Sequence, residues 1–181
     1  MDIYEKIGRI FYEYDQLISA RDYCSKARAI SDIIGEDESK PVNLYITMGL
    51  IECKDEHYYA ALDNFGHAFE ILTNKTYSVH PEYKLLYNYI GYVYFKLGQT
   101  EIAMNNYQKT LSIHSNCSNH PNLAQVHKNI GLIYEKDKHD YSLALLSYKR
   151  ALELLPSTKH PHYILYKSMI ITLELKLKNI S

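Results

Sequence analysis

The sequence predicts an all-α protein built from repeated helix hairpins, and three observations carry that prediction. Prolines recur at Pro41, Pro81, Pro121 and Pro161, a spacing of 40 residues each time. Glycines recur at Gly8, Gly49, Gly91 and Gly131, spaced by 41, 42 and 40. Downstream of each glycine lies a trio with steps of four and three: Ala20-Cys24-Ala27, Ala61-Phe65-Ala68, Ala103-Tyr107-Thr110 and Ala144-Tyr148-Ala151. Self-similarity at a period of this size is the mark of a repeat architecture.

Each glycine lies in a short apolar segment, "YEKIGRIFY", "YITMGLIEC", "YNYIGYVYF" or "HKNIGLIYE", which reads as the first helix, A, of a hairpin. Steps of four and three place each trio on one face of the second helix, B. The turns between them are short and polar: "KDEH", "KLGQ" and "KDKHD", the last one residue longer. A glycine inside a helix costs about 1 kcal/mol against Ala, so its recurrence needs a packing reason. Packed helices sit about 8–10 Å apart, and small residues at the crossing let the backbones approach closely. Gly91 and Ala103 are read as such contacts, with Ile90, Tyr94 and Tyr107 supplying the bulk around them. Proline in the first turn of a helix loses no hydrogen bond. The four prolines are therefore predicted to start successive A helices.

Three of these prolines follow a histidine, at His80-Pro81, His120-Pro121 and His160-Pro161. Equivalent atoms of stacked repeats lie about 10 Å apart, judging from helix packing. Zinc holds its nitrogens at about 2.0–2.1 Å, so equivalent histidines cannot share one ion and read as punctuation of the repeat. His114, Cys117 and His120 have metal-like spacing but supply three ligands without a clear fourth, and are read as a polar loop. No metal or cofactor is predicted. Nucleotide-binding, nucleophile-elbow and zinc-protease motifs are absent from the sequence, and paired carboxylates such as Asp55-Glu56 fall in a turn, so no catalytic residue is predicted and the chain is not read as an enzyme.

Bulk properties narrow the class further. The 181 residues are 46% hydrophobic and 23% charged with a mean hydropathy of −0.33, the balance of a soluble globular protein. Tyrosine is abundant, 19 residues against 4 Phe and no Trp, which suits amphipathic helix faces. A net charge of −1 argues against nucleic acid as a partner. Residues 1–80 hold 8 Lys/Arg and 14 Asp/Glu, while residues 81–181 hold 12 and 7, a gradient able to orient a partner. Three cysteines in unrelated contexts outline no disulfide framework, and no apolar run spans a membrane or forms a signal peptide, so a cytoplasmic location is expected.

The pattern of small residue, aromatic three later, Ala opening helix B, aromatic four on and Ala three further, with Pro156 after "ALELL", resembles the tetratricopeptide repeat (TPR). The period of about 40 with His-Pro before helix A resembles its kinesin-light-chain-like subtype. Copy two departs with Glu52 in place of the A-helix aromatic, and copy one with Cys24 in place of the B-helix aromatic. The resemblance implies a right-handed α-solenoid forming a single domain over 1–181. It comprises about four hairpins, at 1–39, 40–79, 80–119 and 120–159, and a C-terminal capping helix at 161–178 in which Ile171 replaces the glycine. Met1 precedes Gly8 by seven residues where Pro81 and Pro121 precede their glycines by ten, so the first helix reads as cut short, as in a fragment of a longer protein.

Such stacks hold other proteins on their concave wall. By the family's geometry the inward positions lie three before, one after and four after each glycine. They are Glu5, Arg9 and Tyr12; Ile46, Leu50 and Cys53; Asn88, Tyr92 and Phe95; Lys128, Leu132 and Glu135. Arg9, Tyr12, Ile46, Leu50, Asn88, Tyr92, Phe95, Lys128 and Leu132 are the candidate peptide-binding residues. The position after the glycine is never Asn, which argues against a carboxylate clamp. Only one asparagine of each expected pair survives, Asn88 and Asn129, so a ladder gripping the peptide backbone is weakened. The expected function is a protein-interaction scaffold or adaptor for a peptide or helix of a partner protein, without nucleic acid or membrane. Two alternatives stay open: a ligand-sensing regulatory domain like those of peptide-pheromone receptors, and homo-oligomerisation through the apolar C-terminal helix.

Overall fold

The computed structural model describes residues 2–34, 42–75, 82–113 and 121–180. Among them are nine α-helices and no strand: α1 (Asp2–Glu13), α2 (Leu17–Ile34), α3 (Val42–Lys54), α4 (Tyr58–Lys75), α5 (Glu82–Lys96), α6 (Thr100–Ile113), α7 (Pro121–Lys136), α8 (Tyr141–Glu153) and α9 (Tyr163–Ile180). The architecture is an all-α solenoid. The chain divides into two compact units, Met1–Leu97 with α1 to α5 and Gly98–Ser181 with α6 to α9. In the first, α1 pairs with α2 and α3 with α4, α3 packs on α1 and α2, and α5 packs on α3 and α4. In the second, α7 pairs with α8, and α6 and α9 pack on them from either side of the sequence.

Every residue of the four predicted trios is buried, none more than 1% exposed. The reason lies in the glycines. A methyl group placed on Gly8 would stand 2.7 Å from Cys24 Sγ, one on Gly49 2.7 Å from Phe65 Cδ1, and one on Gly131 2.6 Å from Tyr148 Cδ1. In these three hairpins the middle residue of the trio thus lies directly on the glycine of its own helix A, and no side chain fits between them. Cys24, the smallest of the three, makes the same contact in the first hairpin that a ring makes in the others.

The turns repeat as strictly. Asp15, Glu56, Gly98 and His139 have positive φ values of 61°, 60°, 75° and 50°, so each A–B turn contains one left-handed residue. In the first turn the Gln16 N–H donates to the Phe11 carbonyl (2.9 Å) and the Asp15 N–H to that of Tyr12 (3.1 Å). In the second, the His57 N–H reaches Glu52 (2.9 Å) and the Glu56 N–H reaches Cys53 (3.3 Å). These are the paired bonds that close a helix C-terminus around a left-handed residue. The extra residue of "KDKHD" widens the fourth turn, where the Asp140 N–H donates to the Tyr134 carbonyl at 2.9 Å. Asp140 then caps α8, its side chain accepting from the Leu143 N–H at 2.9 Å.

Pro121 opens α7 as expected. Pro161 does not open a helix: it lies in a turn, and α9 begins at Tyr163 and runs to Ile180 rather than over 161–178. In this turn the His160 ring Nδ1 accepts from the His162 N–H at 3.2 Å and its carbonyl accepts from the Tyr163 N–H at 2.9 Å, so the histidine itself organises the entry to α9. Pro41, Pro81, His80, His120 and the His114, Cys117, His120 cluster lie outside the described residues. Glu52, out of place as an A-helix aromatic, is held by a specific set of partners. Its carboxylate accepts from Arg21 of α2 and lies 3.1 Å from His57 Nδ1, while Arg21 also reaches Asp55 at 2.5 Å.

Gly49→Ala must push the Phe65 ring aside, at a cost of about 1–3 kcal/mol that the helix propensity of Ala offsets only in part. Gly66 of α4 faces open space, so Gly66→Ala should stabilise by about 0.5–1 kcal/mol. Urea unfolding of both variants checks the opposite signs.

Candidate functional site

With helix B on the glycine side, α1 and α3 keep their other positions for neighbouring A helices and for solvent. The position three before the glycine goes inward. Ile46 is 2% exposed in a core with Phe65, Leu72, Leu86 and Val93, and Asn88 is 4% exposed. The Asn88 Oδ1 has no hydrogen-bond partner among the described residues. Both are interior side chains, and neither offers surface to a ligand. Glu5 is half-buried, and burial raises its pKa, followed by the neighbouring Asp2 charge.

The positions one and four after the glycine are more open, except Cys53, which is buried. Arg9 is exposed and reaches Glu13 at 3.4 Å; Tyr12, Leu50, Tyr92 and Phe95 are half-buried. Four groups from three successive A helices gather here: Tyr12 of α1, Cys53 of α3, and Tyr89 and Tyr92 of α5. The Tyr12 hydroxyl is pushed up to about 12, first by burial and then by the proximity of Tyr89, Cys53 and Tyr92. Burial, then the Glu52 charge, pushes the Cys53 thiol up to about 12, so it stays protonated at neutral pH and acts as a small apolar group. Cations flank the rings: Lys54 Nζ lies 4.5 Å from the Tyr12 ring centre and Lys96 Nζ 5.9 Å from that of Tyr92. Lys54 also binds Asp15 at 2.5 Å. The surface is therefore aromatic at its centre, with ion-paired charges, Arg9 with Glu13 and Lys54 with Asp15, at its margins.

Sequence geometry missed Tyr89, two before its glycine, because the inward positions were taken from one fixed frame. Its signal was the doubled tyrosine in "YNYIG". In the second unit the frame selects Lys128, Leu132 and Glu135. Lys128 is half-buried, and Leu132 packs against Ala144, Tyr148, Ile170 and Leu173. Glu135 is engaged internally: Tyr148 donates to it at 2.8 Å and Lys176 of α9 at 2.9 Å. No cluster of metal-ligating side chains occurs among the described residues, and no described helix is long and apolar enough to cross a membrane.

Residues 82–157 match the tetratricopeptide repeat family. Solved structures share the fold along nearly the whole chain. Against the Cut9–Hcn1 hetero-tetramer of the APC/C the TM-score is 0.74 at 19% identity, over 94% of this chain and 29% of the other. Against the apo form of RapI it is 0.71 at 21% identity, over 97% and 48%. Against the complex of the TPR2AB domain of yeast Sti1 with pHSP90 it is 0.51 at 19% identity, over 97% and 70%. This chain thus spans under a third of the first and about half of the second. No curated protein matches it in sequence. The chain thus carries tetratricopeptide repeats over residues 82–157, and its other hairpins share the fold of the solved structures. The match is to the repeat in general, and the kinesin-light-chain-like subtype stays an expectation from the loops.

Burial alone would raise the Glu135 carboxyl, but the Lys176 and Tyr148 hydrogen bonds outweigh it and hold the group below its usual value of 4.5. A depressed folded pKa adds stability above the unfolded pKa and loses it as pH falls through the folded one. Acidification below 4.5 should therefore weaken the second unit, and Glu135→Gln should flatten that dependence. Thermal melts of both proteins across this pH range check it.

Proposed function

We propose that the chain is a non-catalytic protein-interaction scaffold that binds a peptide or helix of a partner on the A-helix surface of its first unit. The observation that carries this reading is the gathering of Tyr12, Tyr89 and Tyr92 around Cys53, with Leu50 beside them and Arg9, Lys54 and Lys96 at the margin. Tyrosines give large contact area with little side-chain entropy to lose, which favours peptides carrying an apolar anchor. A half-buried platform of this kind suits an aromatic or aliphatic anchor better than a backbone ladder, because Asn88 is interior. The repeat fold supports the scaffold class, since repeat proteins use extended surfaces to hold other proteins. A TPR domain in complex with pHSP90 is one instance among the structures that share this fold. A cytoplasmic adaptor is the setting that fits buried, free Cys24 and Cys53.

An unbiased peptide selection against the folded chain tests the surface, with Tyr12→Ala/Tyr92→Ala as counter-selection and a thermal melt to confirm its fold. Enriched peptides should share an apolar anchor and bind the variant about tenfold or more weakly. Peptides that bind both proteins equally would move recognition off this surface, and no enrichment would sink the reading.

A further inference from the structure

α9 is apolar on two opposite faces. Tyr166, Ile170 and Leu173 are buried against the second unit, while Ile164, Ile171 and Leu175 on the other side are 79%, 49% and 57% exposed. Ile171 stands 40 residues after Gly131, at the position that Cys24, Phe65 and Tyr148 cover in α1, α3 and α7. No described helix covers it in α9. An isoleucine there rules out the ring-on-glycine contact but suits a helix at ordinary packing distance, about 8–10 Å.

The spacing says more. Ile164, Ser168, Ile171 and Leu175 follow one another at steps of four, three and four, the seam of a two-stranded coiled coil. Lys167 and Glu174 flank this seam on one side, and Leu165 and Thr172 flank it on the other. We infer that the outer face of α9 pairs with α9 of a second copy of this chain, antiparallel about a twofold axis. In that register Ile164 lies opposite Leu175 of the second copy, and Ser168 opposite its Ile171. The same register sets Lys167 beside Glu174 of the second copy and Leu165 beside its Thr172, each twice by symmetry.

Charge selects this arrangement over its competitors. A slide by one heptad in either direction brings Lys167 against Lys167 or Glu174 against Glu174 across the axis. A parallel pair sets Lys167 against Thr172 and Glu174 against Asn179, and forms no ion pair. Residues at these flanking positions decide orientation and partner in coiled coils. Lys149 of α8 holds Glu174 Oε1 at 2.9 Å, which leaves Oε2 for the incoming lysine. Lys167 Nζ lies 6.0 Å from the Tyr163 ring centre, on the exposed side of the helix. This pairing is independent of the tyrosine surface on the first unit.

Sedimentation equilibrium on the full chain, up to about 1 mM to include weak specific association, reads the result. The expected behaviour is a reversible monomer–dimer equilibrium that Ile171→Glu abolishes, with an unchanged thermal melt at concentrations where both proteins are monomers, because Ile171 is exposed. Lys167→Glu should weaken the dimer about tenfold through two symmetric repulsions, and adding Glu174→Lys should restore it to within about threefold. A monomer throughout, or a dimer indifferent to Ile171→Glu, overturns the proposal. A dimer that needs Ile171 but ignores the charge reversal, or is not rescued by the double swap, overturns the antiparallel pairing.

Discussion

The contact between a helix-A glycine and the central side chain of its own helix B sets the geometry on which the rest of this protein depends. Phe65 lies on Gly49 and Tyr148 on Gly131 with no room for a methyl group between them, and Cys24 lies on Gly8 in the same way. That contact brings the two backbones of a hairpin together and buries the alanines on either side of it. It also orients helix A. Once one side is committed to helix B, the position three before the glycine turns into the stack, as at Ile46 and Asn88, and those one and four after it reach the surface at Arg9, Tyr12, Leu50, Tyr92 and Phe95 but not at Cys53.

Departures from the repeat pattern are compensated where they occur. Glu52 replaces an aromatic residue, and its buried carboxylate is met by Arg21 from the preceding hairpin and by His57 from its own turn. A buried charge is tolerable only when it is paired and hydrogen-bonded in this way. Glu135 is satisfied by the Tyr148 hydroxyl and by Lys176 of α9, which joins the last hairpin to the helix that follows. In both cases a charge that local pattern would assign to solvent joins one helix pair to the next. The turns show the same economy: a left-handed residue is needed in each of the four, yet only Gly98 adopts it without steric cost. Asp15, Glu56 and His139 are held there by the backbone bonds that end each helix A.

The two surfaces left open differ in kind. The face of α1, α3 and α5 is edged by ion-paired charges and centred on tyrosines whose hydroxyls are held in a partly dry setting, as the raised pKa of Tyr12, Tyr89 and Tyr92 reflects. Such a mixture accepts side chains of varied shape. The outer face of α9 is aliphatic and regular, with one charge of each sign on its flank, a pattern that specifies a register instead of tolerating variety.

The helices and the close crossings at Gly8, Gly49 and Gly131 were legible in the sequence, because a helix face is written at steps of three and four and a close crossing demands a small residue. Of the prolines expected to open helices, Pro121 opens α7, whereas at Pro161 it is His160 and its turn that lead into α9. Burial of individual wall positions was not legible, since it depends on how far the next helix A lies over its neighbour. That stacking turned Ile46 and Asn88 inward and brought Tyr89 of α5 to Tyr12 of α1, 77 positions apart in the chain. Local period determined which residues face a partner helix. Only the tertiary structure decided which of the remainder meet solvent, because solvent access is a property of the space between helices and not of any one of them.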